Sequence, residues 1–186
     1  MKVKSEAGFT YIDVMCAFVI LTVGILALLS AIAGGVLQSN AQQQQLSAKQ
    51  IATSTMESIM SVKETADPLR RLGWNAVGNV GSNPDGTGGF SGIFLNGLQP
   101  VTAGAGLDQI FGTADDNGAA IAGMQRRIVI TDQCDLDRPS PAPTCATPNT
   151  FPVMIRLVQV TITYSVGTIQ RQEVSTTVLT NYAVAN

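Results

Sequence analysis

Histidine is absent from this chain of 186 residues, and only 13% of its residues are charged. Without an imidazole, neither a Ser-His-Asp nor a Cys-His arrangement can be built. The glycine-rich stretches, Gly86 to Gly92 among them, lack the lysine and the strand-to-helix setting of a phosphate-binding loop. Asp132, Asp135 and Asp137 suggest paired-carboxylate chemistry only weakly, and read more simply as acids that keep a surface loop solvated. The chain is therefore expected not to be an enzyme. Basic residues are scarce as well: 11 Lys and Arg against 13 Asp and Glu leave a net charge of −2. That balance gives no electrostatic footprint for nucleic acid.

The other absences are local. Val14 to Leu37 contains no Lys, Arg, Asp or Glu. As a helix it reaches about 36 Å, enough to cross a bilayer core. A short leader with Lys2 and Lys4 precedes it, ending at Gly8-Phe9-Thr10, and one acid, Asp13, stands at the start of the apolar run. A secretory signal peptide would place its cleavage site after the apolar stretch, following small residues. Ser30-Ala31-Ile32-Ala33 leaves that reading open, although the sequence around Gly8 argues for processing before the run.

The segment GFTYIDVMCAFVILTVGILALL, Gly8 to Leu29, closely resembles the leader junction of the type IV pilins and of the pseudopilins of type II secretion and competence systems. The resemblance implies that a prepilin peptidase cuts between Gly8 and Phe9 and that Phe9 becomes the N-methylated mature terminus. Lys2 and Lys4 would then hold the leader on the cytoplasmic face, as the positive-inside tendency also suggests. Glycine before the cut admits a close approach of the protease. The family usually carries glutamate where this chain has Asp13, one methylene shorter. There the acid neutralises the terminal amine of a neighbouring subunit during filament assembly, and an ionisable residue beside a membrane span is a functional candidate on physical grounds. The plainer reading of Asp13 is a boundary acid that favours the helix N-terminus. Where many major pilins have a helix-loosening proline, this chain has Ser30, with Gly34-Gly35 nearby.

The ending TITYSVGTIQRQEVSTTVLTNY, residues 161 to 182, resembles the terminal hairpin of the minor pilins of pilus modification and of minor pseudopilins, so the chain is most like a minor pilin of that type. Its partners would be other pilin or pseudopilin subunits, the peptidase and the inner-membrane assembly machinery. It would be a single-pass bacterial inner-membrane protein with an exported C-terminal domain that later enters a pilus or pseudopilus. A minor pseudopilin of a type II secretion system is the alternative within the family, and a membrane-anchored surface binding or adhesion module the alternative of another class.

The remainder suits one small globular domain. No proline or glycine occurs from Gln38 to Glu64, so the helix can continue. Ala48, Ile51, Ala52, Thr55, Ile59 and Val62 recur at three- and four-residue steps, an apolar stripe suited to packing on a sheet. Asp67-Pro68 ends the pattern. Gly73 to Gly123 reads as a turn-rich connector. Within it Asp108, Asp115, Asp116 and Asn117 offer oxygen atoms of the kind calcium accepts, in a spacing unlike an EF-hand; turn residues without an ion are the favoured reading, and no other cofactor is expected.

From Arg126 onward, Arg126 to Thr131, Val153 to Val166 and Thr168 to Tyr182 are β-branched and partly alternating, an antiparallel meander with a tight turn at Gly167. Val158, Val160, Ile162 and Tyr164 should face the helix stripe. The expected fold is α+β: leader 1–8, membrane and filament helix 9–37, amphipathic continuation 38–66 and a pilin-like globular domain 67–186. Among the three cysteines, Cys16 lies in the apolar run and reads as a small apolar side chain. Cys134 and Cys145 flank a Pro- and Asp-rich loop, and a disulfide between them is the favoured reading, stabilising by about 2 to 3 kcal/mol.

Overall fold

A computed structural model describes residues 10–65, 67, 69–135 and 153–182. The chain divides into two units, Met1–Gln43 and Gln44–Asn186. Helix α1, Tyr11–Thr65, carries 55 residues. Thr10 precedes it and Asp13 lies in its first turn; Lys63 stands in its last, where a cation suits the helix dipole. The helix runs unbroken past Ser30, whose hydroxyl donates to the Leu26 carbonyl at 3.0 Å, and through Gly34-Gly35.

In the first unit every described residue from Thr10 to Asn40 is exposed. In the second, Ala48, Ala52, Thr55, Met56, Ile59 and Val62 are buried, and Ile51 packs against the same core. The expected stripe is therefore the buried face, with Met56 added. Across from it lies a four-stranded antiparallel sheet in the order β1-β2-β3-β4: β1 Leu98–Gly104, β2 Asn117–Gln133, β3 Ile155–Val166 and β4 Ile169–Thr180. On β3, Val158, Val160, Ile162 and Tyr164 are buried while Gln159 is exposed, as the alternation implies. β3 and β4 meet in unbroken register from Ile155↔Thr180 to Val166↔Ile169, leaving Gly167-Thr168 as a two-residue turn with Gly167 at φ 60°.

The connector expected from Gly73 to Gly123 needs correction, because β1 and the first residues of β2 lie inside it. The glycines and the proline concealed them. Pro100 has no N–H for a ladder, which an edge strand tolerates, and the register shifts on either side of Thr102 mark bulges. Beyond β1, the Asn79 side chain takes over the pairing of β2: its Nδ2 donates to the Ile128 carbonyl and its Oδ1 accepts from the Ile130 amide, each at 2.9 Å. A short 3₁₀ turn, Trp74–Ala76, buries Ala76 in the core next to Val77 and Phe94.

Candidate functional site

The sequence candidate at the N-terminus is Asp13, and its surroundings follow from Thr10. The backbone N–H of Thr10 donates to Asp13 Oδ2 at 3.0 Å, and the Thr10 hydroxyl donates to the same oxygen at 2.7 Å. The Asp13 amide in turn lies 3.4 Å from the Thr10 hydroxyl and 3.0 Å from the Thr10 carbonyl. This reciprocal pattern is a capping box, with Thr10 as N-cap and an aspartate in the third helical position. Both of these bonds to the carboxylate fall on Oδ2, so Oδ1 has no hydrogen-bond partner among the described residues. The boundary reading of Asp13 thus has a concrete form, a cap for its own helix, and the carboxylate still has one oxygen to offer. The signal for Thr10 was present in the sequence as T-x-x-D immediately before the apolar run. Gly8 and Phe9, the processing candidates, lie outside the described residues.

The acidic loop from Leu107 to Gly118 does not gather its four candidate ligands. Asp108 and Asp115 do meet, on Thr113: its hydroxyl lies 3.0 Å from Asp108 Oδ2 and 2.8 Å from Asp115 Oδ1. Asp108 also accepts from the Ile110 amide at 2.8 Å, and Asp115 from the Leu107 amide at 2.8 Å. Burial pushes the Asp108 carboxyl above the ordinary carboxylate range, with the neighbouring Asp115 charge adding to that. The Thr113 hydroxyl, followed by the Asp108 and Leu107 amides, holds Asp115 below it.

Asp116 is directed elsewhere. It accepts from the Gly112 amide at 3.0 Å and forms an ion pair with Arg126 Nη2, the two side chains only 10% and 2% exposed. Asn117 is exposed, its Oδ1 lying against the position a Cβ on Gly104 would fill. Among the described residues no group of three or more His, Cys, Asp or Glu is placed to hold a metal ion. The arrangement folds a loop: each carboxylate satisfies backbone N–H groups that would otherwise be unpaired.

Two buried arginines were missed at the sequence level. Arg126 pairs with Asp116 and points Nη1 at the Thr55 hydroxyl of α1, 3.5 Å away. Arg156 donates from Nε to Asp132 at 2.9 Å, from Nη2 to Asn83 Oδ1 at 2.9 Å and from Nη1 to the Trp74 carbonyl, with its guanidinium 4.4 Å from the centre of the Trp74 ring. Burial weakens this guanidinium's hold on its proton, and Asp132 offsets part of the effect. The strand alternation held the signal, since Arg126 shares a face with Met124 and Ile128, and Arg156 with Val158. No buried side-chain polar atom among the described residues lacks a partner. These networks hold loops to the sheet.

Cys16 is a free, exposed thiol on α1. Cys134 takes part in a disulfide, and Cys145, the partner expected for it, lies outside the described residues. Asp85 organises the loop after Pro84 by accepting from the Thr87 and Gly89 amides at 2.8 and 2.9 Å, and the Thr87 bonds first of all draw its carboxyl below the ordinary range. Comparison with protein-family models, with characterised proteins and with solved structures finds no match to this chain.

Proposed function

We propose that this chain is a minor pilin-like structural subunit, processed by a prepilin peptidase between Gly8 and Phe9 and assembled through its N-terminal helix into a type IV pilus or pseudopilus. The observation that carries the reading is the division of labour along α1. From Tyr11 to Leu37 the helix is apolar and exposed, and long enough to cross a membrane. From Ala48 to Val62 one face of the same helix forms the core of a globular domain. A helix whose most apolar stretch is left exposed among the described residues requires cover from lipid or from other helices. Lipid supplies it before assembly, and packed subunit helices supply it in the filament.

Asp13 gives the assembly step its chemistry. Oδ2 is taken up by Thr10, and Oδ1 remains for the terminal amine of a neighbouring subunit, whose positive charge offsets the carboxylate where water is scarce. The shorter aspartate keeps this oxygen close to the helix end. The reading is tested by incorporation into filaments sheared from cells that carry the assembly machinery and the tagged full-length chain. The tagged chain should appear in the sheared fraction, with Asp13→Glu at least as abundant and Asp13→Ala inserted in the membrane but depleted from filaments. Absence of the unaltered chain from filaments that otherwise form normally would contradict the assignment.

A further inference from the structure

We propose that Asn117 is a site of spontaneous covalent modification, deamidating through attack by the backbone nitrogen of Gly118. The reaction needs an asparagine amide free to turn, a following nitrogen unshielded by a Cβ, and a backbone able to bend into a five-membered ring. The Asn117 side chain is exposed and makes no hydrogen bond among the described residues. Gly118 has no side chain and already sits at φ 87°, away from extended strand geometry. The local ladder is weak: β1 pairs here through a shifted register, at Thr102↔Ala120 and Gly104↔Asn117, while β3 joins β2 only from Met124↔Tyr164 onward. Among the described residues, one side of 117–123 therefore has no neighbouring strand in the sheet.

In the step itself the Gly118 nitrogen forms a bond to Asn117 Cγ. The bond from Cγ to Nδ2 breaks, and Nδ2 leaves as ammonia, carrying the proton given up by the Gly118 nitrogen. Water then opens the succinimide at either carbonyl, producing aspartate or, with the chain rerouted through Cγ, isoaspartate. One water is consumed and one ammonia released, and no oxidant or reductant is required. Either product puts a third negative charge after Asp115 and Asp116, and isoaspartate adds a backbone methylene where Gly104↔Asn117 closes the β1–β2 ladder.

The chain supplies its own control. Asn96 also precedes a glycine, but its Nδ2 donates to the Val80 carbonyl at 2.8 Å and its own carbonyl accepts from Gln99 Nε2 at 2.8 Å. Those bonds hold the amide that must leave and the backbone that must bend. The test is a time course of the purified full-length protein at mildly alkaline pH, read by peptide mass spectrometry with isoaspartate detection, with a free peptide of residues 113–121 in the same buffer. Asn117 should convert several times faster than Asn96 and give both acid isomers. Asn117→Gln should abolish the acidic species on ion exchange, and Asn117→Asp should co-migrate with it. An unchanged Asn117 in the protein while the free peptide converts, or an Asn96 that converts as fast, would overturn the proposal.

Discussion

The two halves of α1 share one backbone geometry and differ in everything that surrounds it. From Tyr11 to Leu37 the side chains are apolar almost all the way round and none is buried. From Ala48 to Val62 the buried positions return at steps of three and four, and exposed Lys49, Gln50 and Glu57 lie between them. A periodic stripe reports a core within the same chain, whereas a surface that is apolar all round reports an environment beyond it. Length alone separates neither case. The contrast along one helix is what ties the globular domain to the proposed membrane and filament role.

The strongest way to break the buried half is through its charges. Asp116→Ala leaves Arg126 unpaired beneath Thr55, and should lower the stability of the domain by about 3–5 kcal/mol. Trp74 fluorescence during chemical denaturation of the detergent-solubilised chain reads it. Replacing Asp116 and Arg126 together by apolar residues should recover much of that loss, since the desolvation of both charges is removed with the pair. If the single change costs nothing, the ion pair does not hold the loop to the helix and sheet.

The same truncation made in each half sharpens the contrast. Ile59 is fully buried, so Ile59→Ala should cost about 2–5 kcal/mol in the same denaturation measurement. Ile20 is 73% exposed, and Ile20→Ala should change domain stability by no more than about 0.5 kcal/mol. Equal effects would mean that the two halves are not used differently.

The smallest effect belongs to the acidic loop. Asp108 has its folded pKa raised, so it favours folding below its unfolded value and loses that contribution as pH rises through the folded value. Asp115 is lowered and has the opposite sign: its contribution is present above the unfolded value and lost as pH falls through the folded one. Asp108→Asn keeps an acceptor for the Ile110 amide and removes the like charge beside Asp115. It should therefore leave stability near pH 7 unchanged or slightly improved, and remove the small part of the acid-side pH dependence that opposes Asp115. A clear loss of stability near pH 7 would show that the Asp108 charge itself is required.

The elements legible in the sequence were those whose pattern repeats. The 3–4 step of Ala48, Ala52, Thr55, Ile59 and Val62 marked the buried helix face, and the alternation from Val158 to Tyr164 marked the inner face of β3. β1 was hidden because LQPVTAG contains a proline, a glycine and one buried residue, Val101, and its place at an edge is set by a partner distant in sequence. For the site, the apolar run and Asp13 stood out by composition. Thr10 did not stand out although its spacing from Asp13 is local, nor did the Arg126–Asp116 pair, because Asp116 read as a turn acid and Arg126 only as the first residue of a strand. The destination of Asp116 depends on how loop 107–116 folds back on the sheet, which no local spacing encodes.

The mass of the mature N-terminus tests the central claim most directly. Expressed with a prepilin peptidase, the chain should lose Met1 to Gly8 and begin at Phe9, with the added mass of an N-methyl group, and Gly8→Val should leave the precursor uncut. A product that retains Met1 in the presence of an active peptidase, or one that begins after Ala31 or Ala33, would contradict the assignment of this helix to a pilus or pseudopilus.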